Sequence, residues 1–410
     1  MLAQIRKIGN PIEVAFLLAL CLFLPLLEAP KNLAWLGFAG VWFVNRIRNR
    51  NFGGCWDKWD TLIAIWIGSA LLSAAFAGLH RSEWGGSLDL VRYASVLWLV
   101  KRGRYSARVL TWALGTLVIS TLVGLLVGHA RLWGGLGKSG TLQLHSVGHV
   151  NHTAIYLAIM LGMFASWIFA RWQAWNVAVR IAALCVFVVM LGSLVMTSSR
   201  AAVVAGLFLV PLLGAAWWRR WRAPLFASLV ITGLLIAGLV GFGADVVRKQ
   251  LHNAATDNVL AYRDGVWRMG YEAWRRYPVF GVGMDNFSLI THDVVKQWRL
   301  DAGKTYDPAR YIRFPHGHSL YVNTLAERGA FGLAALGFVL IAWFTLLVRN
   351  LPRSGDEELD SILWGGAASA WVVTVVVGVV NTTLHHEHGI LAVLLLGLWL
   401  CRLSVRHEEG

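Results

Sequence analysis

The chain has 410 residues, 57% of them hydrophobic and only 14% charged, with a formal net charge of +15. So much apolar surface excludes a water-soluble globular protein, and apolar runs of roughly the 20 residues that a spanning helix needs recur along the whole length. The positive charge is dispersed over the connections between those runs, which argues against a nucleic-acid-binding surface.

In chain order the apolar runs predict twelve spans: 12–28, 31–45, 60–79, 85–100, 107–128, 150–170, 176–197, 201–218, 224–243, 329–348, 361–382 and 389–403. The second, fourth and twelfth are short. The fold class is therefore all-α, a polytopic integral membrane protein of about twelve transmembrane helices. The first run is long and has no small-residue cleavage pattern, so it is expected to remain as a span. Alternate connections are basic: Arg46, Arg48, Arg50 and Lys58; Lys101, Arg102, Arg104 and Arg108; Arg171 and Arg180; Arg219, Arg220 and Arg222; Arg349 and Arg353. Arg6 and Lys7 at one terminus and Arg402 and Arg406 at the other agree with them. Because Lys and Arg mark the cytoplasmic side, both termini are expected there. Many of the 22 tryptophans flank span ends, as an interfacial aromatic belt requires. The cysteines Cys21, Cys55, Cys185 and Cys401 lie in spans or on the cytoplasmic side, and no disulfide or thiolate metal site is expected.

One connection is large. The organisation expected is spans over 1–243, an outward insert over 244–318, and the last three spans over 319–410, integrated into one membrane domain. The insert is too long for an ordinary loop and is expected to be a small, mostly helical folded unit. Within it Asn258–Tyr277 predicts a helix with Arg263, Trp267, Gly270 and Trp274 on one protein-facing stripe, while Arg268, Arg275 and Arg276 point elsewhere. A cation on such a stripe is costly unless something compensates it, which marks Arg263. Pro278 ends the helix and Gly281-Val282-Gly283 opens a loop.

The residues equipped for chemistry fall on the outward side. Arg200 follows Thr197-Ser198-Ser199 at the end of the seventh span. It reads either as a snorkelling anchor or as a phosphate ligand, helped by Ser199 and its neighbouring hydroxyls. Pro315-His316-Gly317-His318, close to Arg310 and Arg313, reads either as capping of the tenth span or as a general base that takes a proton from a sugar hydroxyl. His145, His149 and His152 recur at helical spacing, and His385, His386 and His388 cluster before the last span. A zinc site there is conceivable, yet no motif of defined zinc spacing and no D-x-D signature is present, so no metal and no cofactor is assigned. Spans almost free of acids, with Arg92 as the obvious internal cation, argue against a proton-coupled transporter; Arg92 reads as structural.

Thr197-Ser198-Ser199-Arg200-Ala201, Arg263 ahead of Tyr277-Pro278-Val279-Phe280-Gly281-Val282-Gly283-Met284-Asp285-Asn286-Phe287, and His318 ahead of Leu325-Ala326-Glu327-Arg328-Gly329 together resemble the O-antigen ligase and polymerase superfamily. Order, insert and span count all follow that pattern over most of the chain. The family histidine is usually followed by Asn, and here Ser319 stands there; the nine-residue step to Glu327 identifies His318 as the counterpart. The resemblance implies a GT-C-like, metal-independent, inverting glycosyltransferase of the bacterial inner membrane with a periplasmic active site. The reaction expected is ligation of an O-antigen glycan from undecaprenyl diphosphate to the lipid A–core oligosaccharide, in a chain that contacts membrane lipids and no nucleic acid. His318 is the expected base and Arg200 and Arg263 the diphosphate ligands, with His316, Arg313, Ser199 and Asn323 as further candidates. The alternatives are an O-antigen polymerase or a protein O-oligosaccharyltransferase and, more distantly, a lipid-glycan flippase.

Overall fold

The structure is a computed structural model that describes residues 10–135, 141–217, 263–353 and 356–409, with Gly233. Among these residues there are helices and no strands. The helices are α1 (Pro11–Phe23), α2 (Glu28–Asn49), α3 (Lys58–Ala75), α4 (Glu83–Lys101), α5 (Ala107–Trp133), α6 (Val150–Arg171), α7 (Val177–Met196), α8 (Arg200–Ala216), α9 (Arg263–Arg276), α10 (His292–Asp301), α11 (Leu320–Arg349), α12 (Glu358–Val377) and α13 (His386–Glu409). Local chemistry fixes several starts. Asn10 caps α1 ahead of Pro11, Asp57 and Asp60 form a reciprocal capping box on α3, and Ser106 and Asn176 cap α5 and α7.

Among the described residues six helices are long and apolar enough to cross a membrane: α5, α6, α7, α11, α12 and α13. The three runs that looked short all belong to longer helices, α2 of 22 residues, α4 of 19 and α13 of 24. The apolar run at 224–243 and the start of the helix expected from Asn258 lie outside the described residues. At the centre sits α6, buried from Thr153 to Ser166 and packed on α12, α8, α7 and α13.

Polar contacts sort by bundle end. At one end Glu13 accepts from Tyr105 and Asn45 at 2.8 Å each, Asp60 is held by Lys101 and Arg102, and Arg402 grips Asp360 at 2.6 Å. At the opposite end a buried ion pair joins Lys31 of α2 to Glu387 of α13. Arg92 pairs with the side chains of Asp89 (3.0 Å) and Asn32 (3.4 Å).

The helix α11 is broken. Gly329 has φ 61° and ψ −165°, so the carbonyls of the preceding turn lose their helical donors. The 278–283 loop supplies replacements: Val282 and Gly283 donate to the carbonyls of Ala326 and Glu327 at 2.9 Å each. In return Ala330 and Phe331 donate to the carbonyls of Pro278 and Val279 at 2.8 and 3.2 Å. Gly281, at φ 73°, lies so close that a Cβ would sit 2.4 Å from the Glu327 carbonyl carbon. Only glycine fits there.

Above this splice Val266, Met269, Ala273, Val282, Phe287, Ile290, Val295 and Tyr311 build a second hydrophobic core that rests on Ala326 of α11. The stripe on α9 differs from the sequence expectation. Its buried side is Gly265, Val266, Met269, Gly270 and Ala273, which places Arg263, Trp267 and Trp274 along the border of the packed face. Small side chains let α9 approach closely: a Cβ on Gly270 would fall 2.7 Å from Val322 of α11.

Candidate functional site

The segment that leads into α11 carries His316 and His318. Ser319 caps the helix by accepting from Val322, and the Leu320 N–H donates to the Gly378 carbonyl at 2.7 Å, which anchors the segment to the end of α12. One turn into the helix, the Asn323 carboxamide accepts from the Gly317 N–H and donates to the Glu327 carboxylate, at 2.8 Å in both cases. Asn323 and Glu327 stand four residues apart and so share a helix face. Glu327 also receives the Phe287 N–H at 3.4 Å. The two histidines are thus clamped through their shared Gly317, with ring centroids 4.3 Å apart. His318 itself adopts φ 47°, an uncommon conformation for a non-glycine residue and a sign of an imposed local geometry.

This setting determines protonation. Burial, then the charges of His316, Arg263 and His149, push the His318 imidazole down to about 4. His316 is lowered too, by burial and by His149. Both rings are therefore neutral near pH 7 and able to accept a proton.

The arginines approach from two other parts of the chain. Arg200 is the first residue of α8, exposed, behind a Ser199 that is buried at the cap position but makes no capping hydrogen bond through its side chain. A cation at a helix N-terminus opposes the macrodipole and is disfavoured by about 0.3–1 kcal/mol, an arrangement that an anion on the first-turn amides relieves. Thr197 contributes nothing outward: its hydroxyl donates to the Leu194 carbonyl at 2.6 Å, so the expected Thr ligand turns back into the helix end. Arg263 is half-buried at the start of α9, and burial followed by the charge of Arg200 lowers its pKa. Its guanidinium still stays charged. Arg299, on α10, behaves in the opposite way, because its hydrogen bond to Glu272 at 2.7 Å raises it. The charge of Arg200 thus bears on Arg263, and the charge of Arg263 on His318. Arg313 lies exposed on the approach to His316.

Beside them opens a cavity of about 340 Å³. Its lining includes His316, Asn323 and Glu327 together with Asp89, Asp285, His152, His385 and His386. His316 lines this space, and His318 does not. Burial and nearby Asp89 raise the Asp285 carboxyl, and His385 partly offsets them. Sequence reasoning missed Glu327 as the hub of the histidine clamp and Asp285 as a cavity wall. The step of four between Asn323 and Glu327 was the available signal.

Residues 185–337 match a family model described as O-antigen ligase, a stretch that contains Arg200, Arg263, His316, His318, Asn323 and Glu327. No curated protein matches the chain. That stretch is similar to the O-antigen ligase family and is consistent with a member of that superfamily.

Proposed function

We propose that the protein is an O-antigen ligase of the bacterial inner membrane, moving a glycan from undecaprenyl diphosphate to a sugar hydroxyl of the lipid A–core oligosaccharide on the periplasmic side. The observation that carries this reading is the electrostatic linkage of Arg200 to Arg263 and of Arg263 to His318, within a domain of the ligase family. Two neighbouring guanidiniums suit a diphosphate, which each can bind through a planar fork of donors. Neutral His318 takes the proton of the acceptor hydroxyl as its oxygen attacks the anomeric carbon. A new carbon–oxygen bond forms, the bond to the phosphate oxygen breaks, and undecaprenyl diphosphate departs with the electron pair. Arg200 and Arg263 stabilise the charge that develops on it. Attack opposite the leaving group inverts the anomeric centre.

Asn323 and Glu327 serve as positioning residues, since they act through Gly317 on the histidine pair. The test is complementation of a deletion strain, read on lipopolysaccharide gels. The deletion is expected to leave core without O-antigen and to accumulate full-length carrier-linked chains. His318→Ala and Arg263→Ala proteins, present in the membrane at normal levels, should fail to restore ligation. Core bearing a single repeat would instead identify a polymerase, and carrier-linked repeats held in the cytoplasmic leaflet a flippase. Near-normal ligation by His318→Ala would remove His318 from the base role.

A further inference from the structure

The two histidine clusters of the sequence meet. His152, in the first turn of α6, stands against His385 and His386, at the junction between α12 and α13, with ring centroids 6.3 and 4.7 Å away. His385 and His386 are 3.9 Å apart, edge to face. One nitrogen from each of the three rings lies within 4.8 Å of the others, close enough for a single ion to take all three. A fourth ring, His388, is 5.1 Å from His152 and 1% exposed. Its Nδ1 is buried with no hydrogen-bond partner among the described residues, while its Nε2 lies 3.4 Å from the Thr382 carbonyl. An orphaned nitrogen of this kind is costly unless a ligand or proton donor meets it.

We propose that His152, His385 and His386 form a binding site for one zinc-class transition-metal ion in the cavity wall, with His388 as the fourth imidazole in reach. Imidazole nitrogens favour Zn²⁺, Cu²⁺, Ni²⁺ and Co²⁺ over the hard oxygen-seeking Mg²⁺ and Ca²⁺. Three histidines with an open side on the cavity suit a four-coordinate ion that keeps one exchangeable position. His386 is exposed, which gives the ion a path in. Backbone geometry agrees with a built site: Leu384 and His386 flank His385 at φ 54° and 48°, and the His386 N–H donates to the Tyr93 hydroxyl at 3.0 Å. The strained turn thus presents two adjacent rings to His152. His145, which shares helical spacing with His152, is engaged instead by Arg131 at 2.8 Å and is not part of the set.

The ion has no step in the transfer reaction and does not depend on it. Its effect is structural, because it joins α6 to the α12–α13 connection. Two parts of the chain far apart in sequence are then held together.

The experiment uses the full-length protein, purified in detergent without a histidine tag and freed of metal. Titration with Co²⁺ should develop the visible bands of a four-coordinate site at one ion per chain, Zn²⁺ should displace it, and Mg²⁺ should not. Zn²⁺ should also raise the unfolding temperature. His386→Gln and His385→Gln should weaken binding by about 100-fold or more, since even outer-shell partners commonly carry about 10–100-fold. His149→Gln, which keeps all the proposed ligands, should bind as wild type. Both cavity variants should run as monodisperse protein, which separates ligand loss from misfolding; should they aggregate, His152→Gln and the displacement curve of the wild type decide. Absence of cobalt bands in the wild type, or equal affinity in folded His386→Gln and His385→Gln proteins, would overturn the assignment.

Discussion

The position of His318 makes its acid limb diagnostic. An unperturbed imidazole, titrating near about 6.5, is only about 9% neutral at pH 5.5, whereas one at about 4 is about 97% neutral. Burial and the charges of His316, Arg263 and His149 put His318 in the second class. If its neutral ring is the base, kcat/KM for ligation should stay nearly level from pH 7.5 to 5.5 and fall only as pH approaches about 4, because kcat/KM reports the free enzyme. The donor diphosphate, esterified at both ends, stays ionised across this window and adds no limb of its own. The assay is the initial rate of glycan transfer from a purified carrier-linked donor to purified lipid A–core, in detergent, at subsaturating donor. Removing one neighbouring charge should move the limb upward, so His316→Gln should begin to lose activity at a higher pH than wild type. A wild-type limb centred near 6.5, with about a tenfold loss by pH 5.5, would refute the reasoning. It would mean that His318 is solvated or that another group limits the rate.

The clamp behind the histidines can be tested through Asn323→Leu, which deprives both the Gly317 N–H and the Glu327 carboxylate of a 2.8 Å partner. A displaced base is expected to cost about 10²-fold in kcat with KM little changed, and Asn323→Gln should rescue part of it. Removing Lys31 as Lys31→Met strands the buried Glu387 carboxylate, a loss of about 3–5 kcal/mol, visible as a lower unfolding temperature in detergent. His316, His318 and His385 are all lowered by burial, so the folded protein binds fewer protons than the unfolded chain as pH falls below about 6.5. Stability should therefore decline from pH 7 toward about 4, and His318→Gln should shallow that slope in pH-dependent thermal unfolding. Gly281→Ala should sharply reduce folded protein in the membrane, measured by fluorescence-detected size exclusion, because its Cβ meets rigid backbone on α11.

Helices were legible in the sequence wherever apolar runs were continuous, because burial and membrane contact both select such runs. Their ends were less so. The α2 helix extends beyond its apolar run at both ends, with Glu28 in its first turn and Arg46 and Arg48 in its last, where each charge suits the helix dipole. The α11 helix begins at Leu320, nine residues before the apolar run, because Asn323, Thr324, Glu327 and Arg328 look like loop when read alone. Their polarity is satisfied by partners far away in sequence: Arg328 donates to Ser69 of α3 at 3.2 Å, a contact no local pattern announces. Arg200, Arg263 and His318 were identifiable as chemically equipped residues. The turn of Thr197 into its own helix was hidden, and so was the meeting of His152 with His385 and His386. The first is a local competition for a carbonyl and the second a product of tertiary packing.

The break at Gly329 ties these observations together. Irregular backbone at the level of a bundle is tolerated only where other protein groups take over its hydrogen bonds. Here the 278–283 loop does so on both sides of the break, through four backbone bonds between it and α11. Ser73 of α3 reinforces the junction, its hydroxyl lying 2.8 Å from both the Phe280 and the Glu327 carbonyl oxygens. The same Glu327 supports Asn323, and through it the histidine turn. The helix α9, which carries Arg263, runs directly into this loop. The loop and α9 are thereby fixed against the break in α11, whose entry is in turn anchored to the end of α12 through the Leu320 N–H and the Gly378 carbonyl.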